Sequence, residues 1–388
     1  MKSSLKEDGS RCKVLVLHVK YARNSPYLNS MVLGLDPKRF DVNVCYLKGA
    51  PDGKNALDKA GKSIYLEREK SLGGSRIKTI LALVKMLRQE RPTILHCHRH
   101  KSTVLGTIAA VIAGVPFVIS HVHGLGRTRN FSRRFFNFFI FKRISAIIVI
   151  AEKVMKDVLD NNWALPSSKV RVVWNGVDIE TLGLDGDNDC DRVRKTFDVK
   201  DGAVVFGSVG RLALTKGHIY MFEAFSEVLK VLPDAVLVIA GKGPLKEELE
   251  ANAKALGISS SLRFLGYRDD IPNVLKALDV FVFSSLAEGL PLSILEAMAS
   301  ELPIVSSAVG GIVDIFGEKG DGSKYGFGRL VKAKDSLGLG QAMLEVGRLS
   351  SDERVAMGKR ARERVLAEFT AKHMREGIAT VYKEVMGL

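Results

Sequence analysis

The sequence predicts an α/β chain of two domains, each an alternation of strand and helix on a parallel sheet. Three observations carry this. At 388 residues the chain is long for one core, and 46% apolar residues let each half bury its own. Short apolar runs alternate with longer amphipathic segments in both halves. The apolar runs end in glycine, histidine or charged residues, the residue types expected where a parallel sheet meets a ligand.

Lys13–Val19 and Val42–Leu47 read as the first two strands, with a polar loop Lys20–Ser25 and a helix over 26–35 between them. A loop after the first strand lies at the ligand edge, so Arg23 and Asn24 are candidate substrate contacts. Ile77–Gln89 is an amphipathic helix. Pro92–Cys97 is a strand running into His96-Cys97-His98-Arg99-His100-Lys101. Alternation along a strand would put the three histidines on one face. Nothing nearby supplies the carboxylate or distant ligand that would complete a metal site. The expectation is no metal, and a cationic strand end in which His98, Arg99 and Lys101 meet an anionic substrate.

Ser102–Ser120 contains no charged residue, yet Gly106, Gly114 and Pro116 split it into a helix over 102–113, a turn and a strand over 116–120. It is not expected to span a membrane. The strand leads into His121-Val122-His123-Gly124. Arg127–Arg143 then sets six phenylalanines among clustered arginines, Arg127 and Arg129 included. Phe131, Phe135, Phe138 and Phe139 share a helical face. That face suits a membrane surface or a core-facing helix, and the core is the expectation, with the arginines free to reach an acceptor or lipid head groups. Ala146–Ile150 and Val170–Val173 are strands around a helix at 152–160. Asn175-Gly176 is expected to turn the chain through positive φ. Asp185–Asp191 resembles the opening of a calcium loop. It has Cys190 and Thr196 where that loop needs glycine and glutamate, so it reads as an acidic linker between domains.

The second half repeats the pattern. Ala203–Val209 is a strand ending in Gly210-Arg211, and Lys216-Gly217 opens a helix to about Val231. A strand, a glycine turn and two cations before a helix suit a diphosphate. Ala235–Ala240 leads into a second glycine turn, Gly241–Pro244. Leu262–Leu265 is a short strand followed by Gly266-Tyr267. Val280–Phe283 is a buried strand, Glu288-Gly289 a turn, Leu292–Ala299 a helix with Pro291 in its first turn, and Leu302–Val305 the next strand. Glu288 thus stands at the carboxyl end of a strand, where the backbone of residues 289–292 suits an anionic ligand. Glu296 is eight residues on, too far for a tight acid–base pair. Spacing alone leaves open whether the two glutamates grip one extended ligand or are a loop residue and a solvated helix face.

The charge is +15 and uneven. Residues 1–180 carry 31 Lys and Arg against 14 Asp and Glu, a balance of +17; residues 181–388 carry 27 against 29, a balance of −2. An anionic partner for the first half is expected: a phosphorylated acceptor, a membrane surface or nucleic acid. No helix-turn-helix, RNA-recognition or zinc pattern supports nucleic acid. The four scattered cysteines form no CxxC pair and no disulfide framework, which fits a reducing compartment. The N-terminus is too charged for a signal peptide, so a cytoplasmic location, with the first domain touching the inner membrane surface, is the expectation.

GSVGRLALTKGH, VIAGKGPLKEELE, RFLGY, SSLAEGLPLSILEAMASELPIV and VGGI together resemble, in order and spacing, the C-terminal domain of the retaining GT-B glycosyltransferases of family 4. HCHRHKS, ISHVHG and WNGVD are similar to that family's first domain. The resemblance covers nearly the whole chain. It implies two Rossmann-like domains facing a central cleft: 1–180 on the acceptor side, 181–368 binding a nucleotide-sugar, and a helix over 369–388 crossing back. By the same resemblance Arg211 and Lys216 bind the donor diphosphate, and Glu288 the donor sugar. Gly289, Leu290, Pro291 and Leu292 lie near sugar and phosphate, and Glu296 at the ribose. Gly266, Tyr267 and Arg268 lie against the base, and His123 beside the reacting carbon. The loop after the first strand departs from the family by lacking a glycine pair. The implied reaction is metal-independent transfer of a hexose, with retention, from a UDP-sugar to an anionic or lipid-linked glycan. A sugar-nucleotide epimerase or hydrolase, and a non-enzymatic polyanion-binding protein, are the rivals.

Overall fold

The computed structural model describes residues 11–21, 25–51, 53–66, 75–126, 131–162, 164–180, 182, 190–317 and 326–388. Arg23, Asn24, Arg127 and Arg129, and most of the acidic stretch at 185–191, lie outside the described residues. The chain divides into two compact units, Met1–Asn175 with Ala371–Leu388, and Gly176–Thr370.

The first unit holds a seven-stranded sheet: β1 (Cys12–His18), β2 (Phe40–Tyr46), β3 (Ser63–Tyr65), β4 (Ile94–His98), β5 (Phe117–Val122), β6 (Ala146–Val149) and β7 (Val170–Val172). Its order is β3-β2-β1-β4-β5-β6-β7, and every pairing is parallel. β4, β5 and β6 are buried almost throughout, as continuous apolar runs covered on both faces should be. The last helix, Ala371–Met386, belongs to this unit. Its Tyr382 is fully buried, with the hydroxyl 2.7 Å from His96 Nδ1.

The second unit holds six parallel strands: β8 (Val205–Val209), β9 (Val236–Ala240), β10 (Leu262–Gly266), β11 (Val280–Phe283), β12 (Ile304–Ser307) and β13 (Gly328–Val331). Their order is β10-β9-β8-β11-β12-β13. Connections from β8 and β11 therefore run to opposite sides, and the gap between these two strands is the topological switch point where such sheets bind ligands.

Three expectations are corrected. The helix at Phe131–Arg143 buries Asn137, Ile140 and Phe141, and leaves Phe135, Phe136 and Phe139 57%, 48% and 54% exposed. Of the expected core face, Phe135 and Phe139 turn outward and Phe138 is partly buried, while Asn137 turns inward, its Nδ2 donating to Asn162 Oδ1 at 2.9 Å. Asn175 and Gly176 do not adopt positive φ. Just beyond them Val177 pairs in parallel with Thr370. Pro291 is the N-cap of the Leu292–Ala299 helix rather than part of its first turn.

Candidate functional site

The loops after β8 and β11 meet at the carboxyl edge of the second sheet. Leu286 N–H donates to the Thr215 carbonyl at 2.8 Å, and Ser284 Oγ donates to the Lys216 carbonyl at 3.0 Å. Gly217, with φ +61°, caps the His218–Leu229 helix so closely that a Cβ there would strike the Ser284 carbonyl. From the other side Gly311 N–H donates to the Gly289 carbonyl at 2.6 Å, and Gly310 (φ +55°) leaves no room for a Cβ against the Glu288 carbonyl. Two loops, those after β8 and β12, thus clamp residues 284–289.

This brings together two charges 72 residues apart. Lys216 Nζ donates to Glu288 Oε1 at 2.7 Å, and Ser285 Oγ donates to the same oxygen at 2.7 Å. The two side chains are 20% and 15% exposed. Lys216 Nζ also stands 4.7 Å over the Phe283 ring. Among the described residues, Glu288 Oε2 accepts no hydrogen bond. Arg211 is exposed and makes no ion pair among the described residues. Glu296 is half-buried on its helix, and desolvation raises its carboxyl pKa. Its side chain has no hydrogen-bond partner among the described residues. Pro291 has no N–H, so the backbone donors of residues 289–292 come from Gly289, Leu290 and Leu292.

At the neighbouring strand end Gly266 has φ +67°, and Gly241 N–H donates to its carbonyl at 2.7 Å. Tyr267 is 61% exposed, with Lys242 Nζ 5.6 Å from its ring. The Arg268 guanidinium is engaged by Asp270, Nε donating to Oδ1 at 2.6 Å, and so holds its own turn. Two residues were not anticipated. Ser285 orients Glu288. His218, buried beside Lys216, has an unpartnered Nδ1 and a pKa pushed down to about 4, by desolvation first and by Lys216 second. The serine pair before the acidic turn and the histidine after Lys216-Gly217 were the available signals.

The carboxyl edge of the first sheet is built from histidines. His96 and His98 on β4 meet His121 on β5 and His123 just beyond it. His96 Nε2 lies 3.2 Å from His121 Nδ1, and His98 Nδ1 lies 2.8 Å from His123 Nε2. Tyr27 hydroxyl lies 3.1 Å from His121 Nδ1. Nitrogens of His96, His98 and His121 fall within 4.8 Å of one another; His96 and His121 bond each other and the two tyrosines, while the buried Nε2 of His98 has no partner among the described residues. Burial favours the neutral forms of these histidines, pushing His96 down to about 3 and His98 and His121 well below the usual range, so the cations of this strand end are Arg99 and Lys101. His98, 1% exposed and bonded to His123, cannot meet an acceptor directly. His100 leaves the alternation, because the helix begins at Arg99; its Nε2 bonds Asn137 Oδ1 at 3.0 Å.

Arg99 and Lys101 are exposed at the start of that helix, and Arg99 has φ +70°, a strained conformation for a non-glycine residue. They line a pocket of about 320 Å³ with His123, His100 and Arg133, and no carboxylate lines it among the described residues.

Residues 190–364 match the family model described as Glycosyl transferases group 1, and residues 26–181 that described as Glycosyltransferase Family 4. The chain is 33% identical over 289 residues, 71% of its length and 74% of the relative's, to the UDP-Gal:alpha-D-GlcNAc-diphosphoundecaprenol alpha-1,3-galactosyltransferase of Escherichia coli. It is 24% identical to the capsular polysaccharide biosynthesis glycosyltransferase CapM of Staphylococcus aureus, covering 94% of this chain and 95% of that one. The fold is similar to that of Anabaena Alr3699/HepE, solved in complex with UDP and glucose, at a TM-score of 0.80 and 19% identity, over 96% of this chain and all of that one.

Proposed function

The chain belongs to the GT-B glycosyltransferases of family 4, and on that premise we propose that it transfers a hexose from a UDP-sugar to an anionic, lipid-linked glycan, with retention and without a metal ion. The observation that carries this is the Lys216–Glu288 pair at the switch point of the second sheet. A donor diphosphate, with more charge than one carboxylate, draws Lys216 Nζ to itself and is met by Arg211. Glu288, released from its cation but still held by Ser285, accepts hydrogen bonds from donor sugar hydroxyls. Glu296 accepts from the ribose, and the exposed Tyr267 ring offers a face to the base.

When the bond from the anomeric carbon to the diphosphate oxygen breaks, negative charge grows on that oxygen. Lys216 and Arg211 are fixed cations where it develops. In this reading the leaving oxygen takes the acceptor hydroxyl proton, and the acceptor oxygen bonds the same face of the sugar. His123, next to the donor sugar by family resemblance, adds a ring held by His98.

Two observations support the acceptor class. The basic pocket with Arg99, Lys101 and Arg133 suits a phosphorylated glycan, and the E. coli relative is named for a diphosphoundecaprenol-linked acceptor. Among the described residues no helix is long and apolar enough to cross a membrane, so such an acceptor is reached from the bilayer surface. The test is a sugar-nucleotide screen with lipid-linked diphosphate saccharides, following product by mass spectrometry. Acceptor-dependent hexose addition is expected, lost when Arg99 and Lys101 are both changed to Ser. Donor turnover at equal rate without acceptor would contradict it.

A further inference from the structure

The Phe131–Arg143 helix shows an aromatic face to the outside of the first unit. Phe135 and Phe139, four residues apart and so on one side of the helix, lie with ring centroids 5.4 Å apart and are both more than half exposed. Exposed Lys142 and Arg143 close the helix, and exposed Arg133 and Arg134 stand near its start. The helices Arg76–Glu90, Arg99–Ala113 and Phe131–Arg143 pack side by side. The first two also leave large apolar side chains outside, Ile77 and Leu81 on one, Val111 and Ile112 on the other. The contiguous part of this exposure is the aromatic cluster of Phe135, Phe136 and Phe139, and such a cluster marks an interaction surface.

Charge selects the occupant. From Arg91 to Ala151 the sequence has nine Lys and Arg and no Asp or Glu. A second copy bound by two-fold symmetry would set this patch against itself and oppose like charges. An anionic bilayer offers what the face lacks: head-group charge for the cations and an interfacial region into which phenyl rings insert.

We propose that the Phe131–Arg143 helix is a membrane-docking element that lays Phe135 and Phe139 into the interface of an anionic bilayer, with Lys142 and Arg143 on its head groups. This extends the lipid-linked acceptor proposed above, because Arg133 of the same helix lines the basic pocket. Docking would hold that pocket at the height of acceptor phosphates.

The test needs neither donor nor acceptor. The full chain is floated with vesicles of phosphatidylcholine alone or mixed with phosphatidylglycerol. The wild-type protein should float with the mixed vesicles and not the neutral ones. F135S/F139S should reduce the bound fraction about tenfold or more, and K142E/R143E should do the same. Added salt should weaken binding by screening. Circular dichroism and melting temperature, unchanged in both variants, would show that the fold survives. No flotation of the wild type, equal flotation of F135S/F139S, or a dimer that F135S/F139S dissociates would each overturn the proposal. Flotation without any transfer would sink the acceptor reading alone. Transfer to a water-soluble acceptor without flotation would sink this one alone.

Discussion

Lys216 Nζ and Glu288 Oε1 lie 2.7 Å apart, on loops that leave neighbouring strands in opposite directions. Each keeps the other's charge satisfied at a partly closed edge, so both are in place before a ligand arrives. In the proposed function a diphosphate-linked sugar would separate them, one toward each half of the ligand.

K216A and E288A should each reduce the rate of transfer about a hundredfold, the scale of losing one oriented transition-state contact. The double variant should lose less than the product of the two, since the residues share one network. Initial rates at saturating acceptor check this. Near-full activity of either folded single variant would remove it from the site.

Glu296 carries the opposite trade. Its carboxyl pKa is raised by burial, so the folded protein holds the ionised form at a disadvantage once the pH is above that value. The native state binds its proton more tightly than the unfolded chain, and stability contributed by this group falls as pH rises through that window. E296Q should therefore melt higher than the wild type at neutral pH without donor, yet bind the UDP-sugar about tenfold more weakly, having lost an ionised acceptor. Melting curves with and without donor separate the two effects. A lower melting point without donor would contradict the desolvation argument.

The histidine stack predicts acid sensitivity of the first unit. His96, His98 and His121 stay neutral when folded, while in the unfolded chain each takes a proton near its ordinary pKa of about 6.5. Nothing is lost above that pH. Below it each favours the unfolded chain more as the pH falls, until its own folded pKa is reached. Both tryptophans, 163 and 174, fall within the sequence of this unit, so a fluorescence-detected midpoint should drop steeply from pH 7 to pH 5. A flat midpoint over that range would contradict the burial of these rings as neutral groups.

Gly310 and Gly257 separate strain from site geometry. Both have positive φ, but a Cβ at Gly257 meets open space, while one at Gly310 strikes the Glu288 carbonyl. Each change to alanine should cost about 1 kcal/mol or more in backbone strain. Only G310A should also weaken donor binding, by shifting the Glu288 turn. Equal donor affinity in the two variants would show that the turn does not position the glutamate.

Most strands were legible because buried parallel strands are short apolar runs between turn residues, and Val280–Phe283 is one from end to end. The residues proposed for the second unit's candidate site stand, as read, among charges and glycines just past such runs. What sequence spacing could not give was partnership at long range: that Lys216 would pair with Glu288, or His98 with His123. Periodicity also could not choose between two stripes of the phenylalanine helix. Both are apolar enough to be buried, and the buried amide of Asn137, bonded to Asn162 and His100, decides. The alternating histidines misled because Arg99 takes a left-handed conformation and starts a helix, ending the strand at His98.

The central claim is that the carboxyl edge of the second sheet holds a nucleotide-sugar between Lys216 and Glu288. Isothermal titration of a panel of UDP-hexoses into the wild-type protein, K216A and E288A tests it most directly. Saturable binding of at least one UDP-hexose to the wild type is expected, with affinity reduced about tenfold or more in each variant. Absence of binding by every UDP-hexose, or equal affinity in all three proteins, would contradict the account.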